Sequence, residues 1–262
     1  MTSRVCAIVP SHDHWSVVAQ LVRRLRAAGL PVFVIDDASG ETARGVLAGL
    51  HDDNDSIIVT RLERNQGKGG AVMAGFRLAI AAGFSHAVQV DADGQHDLDA
   101  LARLLELSAR HPAALISGQP IYDASVPLGR RLGRWVTHFW VWIETLSLRI
   151  ADSMCGFRVY PLAAVAPLLA EGRLGQRMDF DPEIMVRLFW AGTPVVMVPV
   201  KVVYPVGNFS NFDVLADNWR MTCMHTRLVV TMLWHLPSML RRRPPRVDFI
   251  GTAAGISDHA VG

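Results

Sequence analysis

Residues Ala87 to His96 read Ala-Val-Gln-Val-Asp-Ala-Asp-Gly-Gln-His. The apolar run Ala87 to Val90 predicts a buried strand, and it stops on two carboxylates, Asp91 and Asp93. The pleat and the turn that follows can aim both at one point. Asp-x-Asp alone says little, because the spacing recurs at Asp53/Asp55, Asp97/Asp99 and Asp179/Asp181. Only Asp91/Asp93 directly follows a buried-type strand. Two carboxylates with an amide oxygen from Gln95 are hard ligands, suited to Mg²⁺ or Mn²⁺ rather than zinc. The competing reading is a polar turn leading to a helix capped by Asp97.

Working outward, the first half alternates strand and helix signals. Val5 to Val9 is an apolar run ending at Pro10, and Trp15 to Ala28 has helical spacing with Val18, Leu21, Val22 and Leu25 on one face. Val32 to Ile35 and Ile57 to Thr60 read as strands, Ala71 to Ala82 as a helix, and Asp97 opens another helix that runs to Arg110. Leu115 to Ser117 reads as a fifth strand. Strands this continuously apolar, alternating with helices, predict an α/β fold with a mostly parallel sheet covered on both faces. Such sheets bind ligands beyond the carboxyl ends of their strands. Three of those ends carry acids: Asp13 after Pro10, the pair Asp36–Asp37, and Asp91–Asp93.

The second half has a different character. Gly129 to Ile150 predicts a long helix whose stripe holds Trp135, Phe139, Trp142 and Leu146, opened by Arg130, Arg131 and Arg134. Shorter helices follow at Ala163 to Leu169 and Pro182 to Ala191. Val195 to Val203 is strand-like, with Pro199 marking an edge or a break. Asp213 to Leu240 is an amphipathic helix, and the residues from Pro244 onward predict a loose tail. The simplest division is one domain over 1–212, an amphipathic extension over 213–243 and a flexible tail over 244–262.

The 262 residues carry a formal net charge of +2, so nothing global attracts nucleic acid. Cys6, Cys155 and Cys223 are widely spaced, which argues against a disulfide framework and for a reducing compartment. The opening residues enter a strand without a charged-then-apolar leader. No stretch reaches the roughly 18 to 20 apolar residues of a membrane span. A cytoplasmic protein, peripheral on the inner face of the cytoplasmic membrane, is the expectation.

Four ordered segments carry a resemblance: Asp36-Asp37-Ala-Ser39, Arg64-Asn-Gln-Gly67-Lys68-Gly69, Asp91-Ala-Asp93-Gly-Gln95-His96 and Gly156-Phe-Arg158. Together, over about Val5 to Pro205, they resemble family 2 glycosyltransferases of the GT-A fold, most of all the dolichol-phosphate mannose synthase and polyprenyl-phosphate glycosyltransferase branch. The resemblance implies that Pro10, Asp13, Asp37 and Lys68 hold the nucleotide, ribose and nearby phosphate of a nucleoside-diphosphate sugar. It implies a metal and diphosphate site at Asp91, Asp93 and Gln95. A P-loop is excluded, since Leu62 stands where its first glycine belongs and Gly69 where Ser or Thr belongs. A turn into the next helix is an equal reading of the Gly67–Gly69 segment.

On the acceptor side, Arg130, Arg131, Arg134 and Arg158 are candidate phosphate ligands, because guanidinium groups bind phosphate in bidentate fashion; for the first three, a basic helix start with a core-facing aromatic stripe is an equal reading. A salt bridge from Arg158 to Glu183 is the structural alternative. Asp181 and Glu183 are candidate bases for a hydroxyl acceptor; a phosphate monoester needs none. Asn208 to Ser210 is a candidate lid. The expected reaction is metal-dependent, inverting transfer of a hexose to a lipid-linked acceptor, with polyprenyl phosphate one candidate. Two rivals stand beside it: a nucleotidyltransferase, which would also use paired carboxylates, and a non-catalytic, membrane-associated nucleotide-binding module.

Overall fold

A computed structural model describes residues 3–51, 56–121, 128–202, 213–241 and 243–251. Asp53/Asp55 and the Asn208–Ser210 segment lie outside the described residues, as does the boundary at 212. Eight strands form one sheet in the order β3-β2-β1-β4-β6-β5-β7-β8. They are β1 (Val5–Ser11), β2 (Val32–Asp36), β3 (Ile57–Arg61), β4 (His86–Gln89), β5 (Leu115–Ile121), β6 (Arg158–Pro161), β7 (Val195–Lys201) and β8 (Val247–Phe249). Every pairing is parallel except those of β6, which runs antiparallel to both β4 and β5.

The continuous apolar runs are explained by cover on both faces. In β1, Cys6 and Ile8 point into one core layer while Ala7 and Val9 point into the other. The second layer is closed by α1 (Trp15–Ala27), α2 (Glu41–Ala48) and α4 (Leu101–Arg110), through Leu21, Leu47 and Leu104. The first is closed by α3 (Gly67–Ala81), α6 (Leu162–Glu171) and α7 (Phe180–Trp190), with α5 (Leu128–Thr145) and α8 (Val214–Arg241) outside them. Helix α3 lies so close to β1 that a Cβ on Gly75 would stand 2.4 Å from Ile8 Cγ2. Asp97 accepts from the Asp99 amide and caps the short 3-10 turn Leu98–Ala100 ahead of α4.

Besides the unexpected helix α2 and the end of α5 at Thr145 rather than Ile150, three features depart from the sequence expectations. Helix α3 begins at Gly67 rather than Ala71. The segment after Gly156 forms β6, the lone antiparallel strand, in the middle of the sheet. The tail expected from Pro244 instead adds β8 to the edge, where Val247 is buried and pairs with Val195. Three residues are too few for periodicity to reveal, and β8 is stabilised by pairing with β7, not by its own pattern. Pro199 faces Gln119 of β5, and β8 covers β7 only as far as Met197, so the missing N–H meets no strand on that side among the described residues.

Helix α8 is anchored through its polar groups as well as its core residues Met221, Met224 and Leu228. His225 Nδ1 lies 2.7 Å from the buried carboxylate of Glu144 on α5, and Arg227 donates to Glu183 of α7 at 2.6 Å. The outward faces of α5 and α8 remain apolar, with Trp135, Phe139, Trp219, Val230, Leu233 and Trp234 all exposed. No helix among the described residues is long and apolar enough to cross a membrane.

Candidate active site

Parallel strands bring the carboxyl ends of β1, β2 and β4 to one edge, and antiparallel β6 adds its first residue, Arg158, beside Gln89. The acids of this edge divide into three groups with different work. Asp36 and Asp37 are adjacent but point apart. Asp36 takes Arg61 Nη1 at 2.5 Å and the Ser39 amide at 2.9 Å. Burial pushes its carboxyl up, but the bonds from Ser39 and Arg61 win and hold it below the usual range. Asp36 is therefore a brace for the turn at Ala38, whose φ is +55°. Asp37 accepts the amides of Gln66 and Gly67 at 2.6 and 2.7 Å, pinning the start of α3. Its carboxyl is pushed up, because burial outweighs those two bonds.

The glycines beside Lys68 serve packing. A Cβ on Gly67, where φ is +82°, would meet Gln176 O at 2.7 Å, and one on Gly69 would meet Phe180 Cβ at 2.4 Å. With no side chains there, α3 seats directly on the loop leading into α7. That contact carries Lys68 to Asp181: Lys68 Nζ lies 2.6 Å from Asp181 Oδ2 and 2.6 Å from Asp91 Oδ2. Burial would lower the ammonium's pKa, but the two carboxylates raise it further, so Lys68 stays charged. The same ammonium keeps Asp91 ionised against the cost of burial.

Asp93 differs. Burial, then the neighbouring Asp91 charge, push its carboxyl up, and His96 nearby and the Gln95 amide at 3.0 Å only partly offset this. Asp91, Asp93 and Asp181 together with Lys68 carry a formal charge of two negative. The donor set, two hard carboxylates with the Gln95 side chain close by in sequence, fits one hard divalent cation that keeps positions open for other oxygens. Among the described residues no group of three or more His, Cys, Asp or Glu is placed so as to hold a metal ion.

Gly156 explains the Cys155-Gly-Phe-Arg158 segment. A Cβ there would stand 2.1 Å from Asp91 Oδ2, so only glycine lets this loop close over the carboxylate. Beneath it runs a buried network that the sequence reading missed. Gln89 Nε2 donates to Asp181 Oδ1 at 3.0 Å, the Tyr160 hydroxyl donates to Gln89 Oε1 at 3.1 Å, and Arg158 donates to Tyr160 Oη at 3.2 Å. Burial pushes the Tyr160 hydroxyl up to about 12, so it remains a donor. A glutamine inside an apolar strand was the available signal, since buried amides need partners.

The remaining candidates separate. Pro10 is buried at the end of β1, and Asp13 is exposed, with Oδ1 accepting from the Gly40 amide at 2.9 Å. Arg134 pairs with Asp152, whose other oxygen accepts the amides of Met154 and Cys155. Arg130 and Arg131 stand in the first turn of α5, and their side chains lie outside the described residues. Two assignments need correction. Arg158 is fully buried, donating to the carbonyls of Ser153 and Asp181, so it is a strut under the site and not an acceptor ligand; nor does it reach Glu183. Glu183, also fully buried, accepts from the Gly175 amide, Arg187 and Arg227, which leaves it neither accessible nor free to act as a base.

Comparison with known proteins agrees with this architecture. The model of the family "Glycosyl transferase family 2" matches residues 6–162, and the chain belongs to that family. It is a glycosyltransferase. Among curated relatives, it is 27% identical over 206 residues to the undecaprenyl-phosphate mannosyltransferase of Micrococcus luteus, covering 76% of this chain and 84% of that one. It is 32% identical over 213 residues to the polyprenol monophosphomannose synthase of Mycolicibacterium smegmatis, covering 76% and 77%. Among solved structures, the glucosyl-3-phosphoglycerate synthase of Mycobacterium tuberculosis, in complex with Mn²⁺ and UDP-glucose, shares the fold. Its TM-score is 0.62 at 11% identity, with 88% of this chain and 78% of that chain covered. A Pyrobaculum calidifontis mannosyltransferase in complex with GDP-mannose and Mn²⁺ gives 0.55 at 14%, covering 92% and 71%.

Proposed function

We propose that the protein transfers a hexose from a nucleoside-diphosphate sugar to a polyprenyl phosphate, at the inner face of the cytoplasmic membrane. The observation that carries this reading is the Asp91–Asp93 pair at a strand end, which with Asp181 and Lys68 leaves two negative charges in excess. Asp91, Asp93 and Gln95 would hold Mg²⁺ or Mn²⁺, which when bound neutralises charge on the nucleoside-diphosphate leaving group. Pro10, Asp13 and Asp37 line the strand ends on the nucleotide side, and Lys68 stands where a diphosphate would meet an ammonium. The relatives named for undecaprenyl-phosphate and polyprenol substrates support a lipid phosphate as acceptor.

Such an acceptor is already an anion, so its oxygen attacks directly, in one inverting displacement, and requires no proton removal. Asp181 then serves to hold Lys68 and Gln89, and acts as a base only toward a hydroxyl acceptor. Arg134 at the start of the aromatic helix, with Arg130 and Arg131 one turn earlier, supplies guanidinium groups for the lipid phosphate. The exposed tryptophans of α5 and α8 suit the interfacial zone of a bilayer. The unpaired thiols of Cys6, Cys155 and Cys223 fit a reducing compartment.

A panel of nucleotide sugars with Mn²⁺ and vesicles containing polyprenyl phosphate tests the proposal. Release of nucleoside diphosphate together with glycolipid is expected. Release of pyrophosphate, or no turnover with any donor, would sink it.

A further inference from the structure

The ammonium of Lys68 sits where a metal on Asp91 would have to make room. It contacts Asp91 Oδ2 and Asp181 Oδ2, each at 2.6 Å, and its side chain is 15% exposed. Its position is built in at both ends. Asp37 holds the amides just before it, Gln66 and Gly67. Gln89 and Lys68 together hold Asp181, and Gly156 packs tightly against Asp91. Asp91 and Asp181 share this one ammonium, and with Asp93 counted the three carboxylates leave two negative charges, which a single divalent cation would balance. A lysine head is a compact, mobile point charge, so it can exchange partners without moving the backbone.

We propose that Lys68 is a built-in competitor for the divalent cation at Asp91, which makes metal and nucleoside diphosphate bind together rather than metal first. Bare metal must displace the ammonium from Asp91 or tolerate it at contact distance, where like charges repel strongly. A diphosphate changes the balance. It offers the ammonium charge-assisted bonds of its own, and Asp91 is released to the metal. By linkage, the metal then tightens nucleotide binding by the same factor by which the nucleotide tightens metal binding. This inference rests on the metal reading of Asp91 and Asp93.

The test is Mn²⁺ affinity, read by electron paramagnetic resonance of free Mn²⁺ without nucleotide and with UDP or GDP. Wild-type protein is expected to bind bare Mn²⁺ weakly and to gain affinity with one of the nucleotides. In Lys68→Met, bare Mn²⁺ should bind at least about tenfold tighter, a small part of what a unit charge at contact exerts, and the gain from nucleotide should shrink. Lys68→Gln, which can still bond both carboxylates without charge, takes its place if the methionine variant does not fold. Lys68→Arg, which keeps the cation, should keep weak bare binding. Unchanged or weaker bare binding in both neutral variants overturns the inference while leaving the metal site standing. Tight bare binding by Lys68→Arg overturns it equally. Wild-type protein that binds no Mn²⁺ even with nucleotide overturns both readings.

Discussion

Replacing Gly156 by alanine adds one methyl group at the tightest point of the site. The Cβ would lie 2.1 Å from Asp91 Oδ2, 2.4 Å from Cγ and 2.5 Å from Oδ1. Carbon atoms in comfortable contact stand about 3.5–4.0 Å apart, so the carboxylate has to retreat by on the order of 1 Å. The backbone at Gly156 is not left-handed, and alanine suffers no conformational penalty there. The whole effect therefore falls on the contact. Overpacking of this kind costs about 1–3 kcal/mol of stability. The retreat also stretches the 2.6 Å bond to Lys68, a charge-assisted contact of the class worth about 1.5–3 kcal/mol. A misplacement of about 1 Å in a positioning group costs roughly a hundredfold in function. Urea unfolding gives the first quantity, and calorimetric titration of nucleotide sugar with Mn²⁺ gives the second. A Gly156→Ala variant with wild-type stability and wild-type donor affinity would refute the packing argument and, with it, the placement of Asp91.

Glu183→Gln should lower stability by about 3–5 kcal/mol, the usual cost of breaking a buried ion network, while turnover per folded molecule stays near wild type. Wild-type stability with lost turnover would restore Glu183 as a base. Asp36 is held below its unfolded value near 3.9, so its contribution is complete above that pH. It is lost as the pH falls through the lower folded value. Urea midpoints of Asp36→Asn measured down that acid limb should therefore vary less with pH than those of wild type; an equal slope would contradict the brace. Trp234→Glu on the outer face of α8 should fold normally yet bind anionic vesicles about tenfold more weakly, given about 1.5 kcal/mol or more for one large apolar side chain. Undiminished co-sedimentation would remove α8 from the membrane surface.

The apolar runs at Val5–Val9, Val32–Ile35 and Ala87–Val90 were legible because each strand is buried on both faces and its composition says so. Strand β6 was not, since Arg158 and Tyr160 are polar groups buried by hydrogen bonds that only the folded arrangement supplies. The Gly67–Gly69 run was ambiguous between a cradle and a turn. The structure shows a packing surface, set by Gln176 and Phe180, which lie more than a hundred residues away in the chain. Arg158 and Glu183 share a reason for having been misjudged: charge in a sequence suggests ligands, and only burial shows when the partner is the protein's own backbone or side chain. Gln89 was visible as an amide within an apolar strand, and Gly156 only as part of a motif.

Nucleotide-sugar binding to wild-type protein and to Asp93→Ala, titrated with and without Mn²⁺, tests the central claim most directly. Among the described residues no ammonium bonds Asp93, and it sits beside a charged Asp91, so the account requires a cation there when donor binds. Wild-type protein should bind donor tightly with Mn²⁺ and weakly in EDTA, and Asp93→Ala should show the weak value in both. Donor affinity unchanged by the substitution and by EDTA would contradict the account.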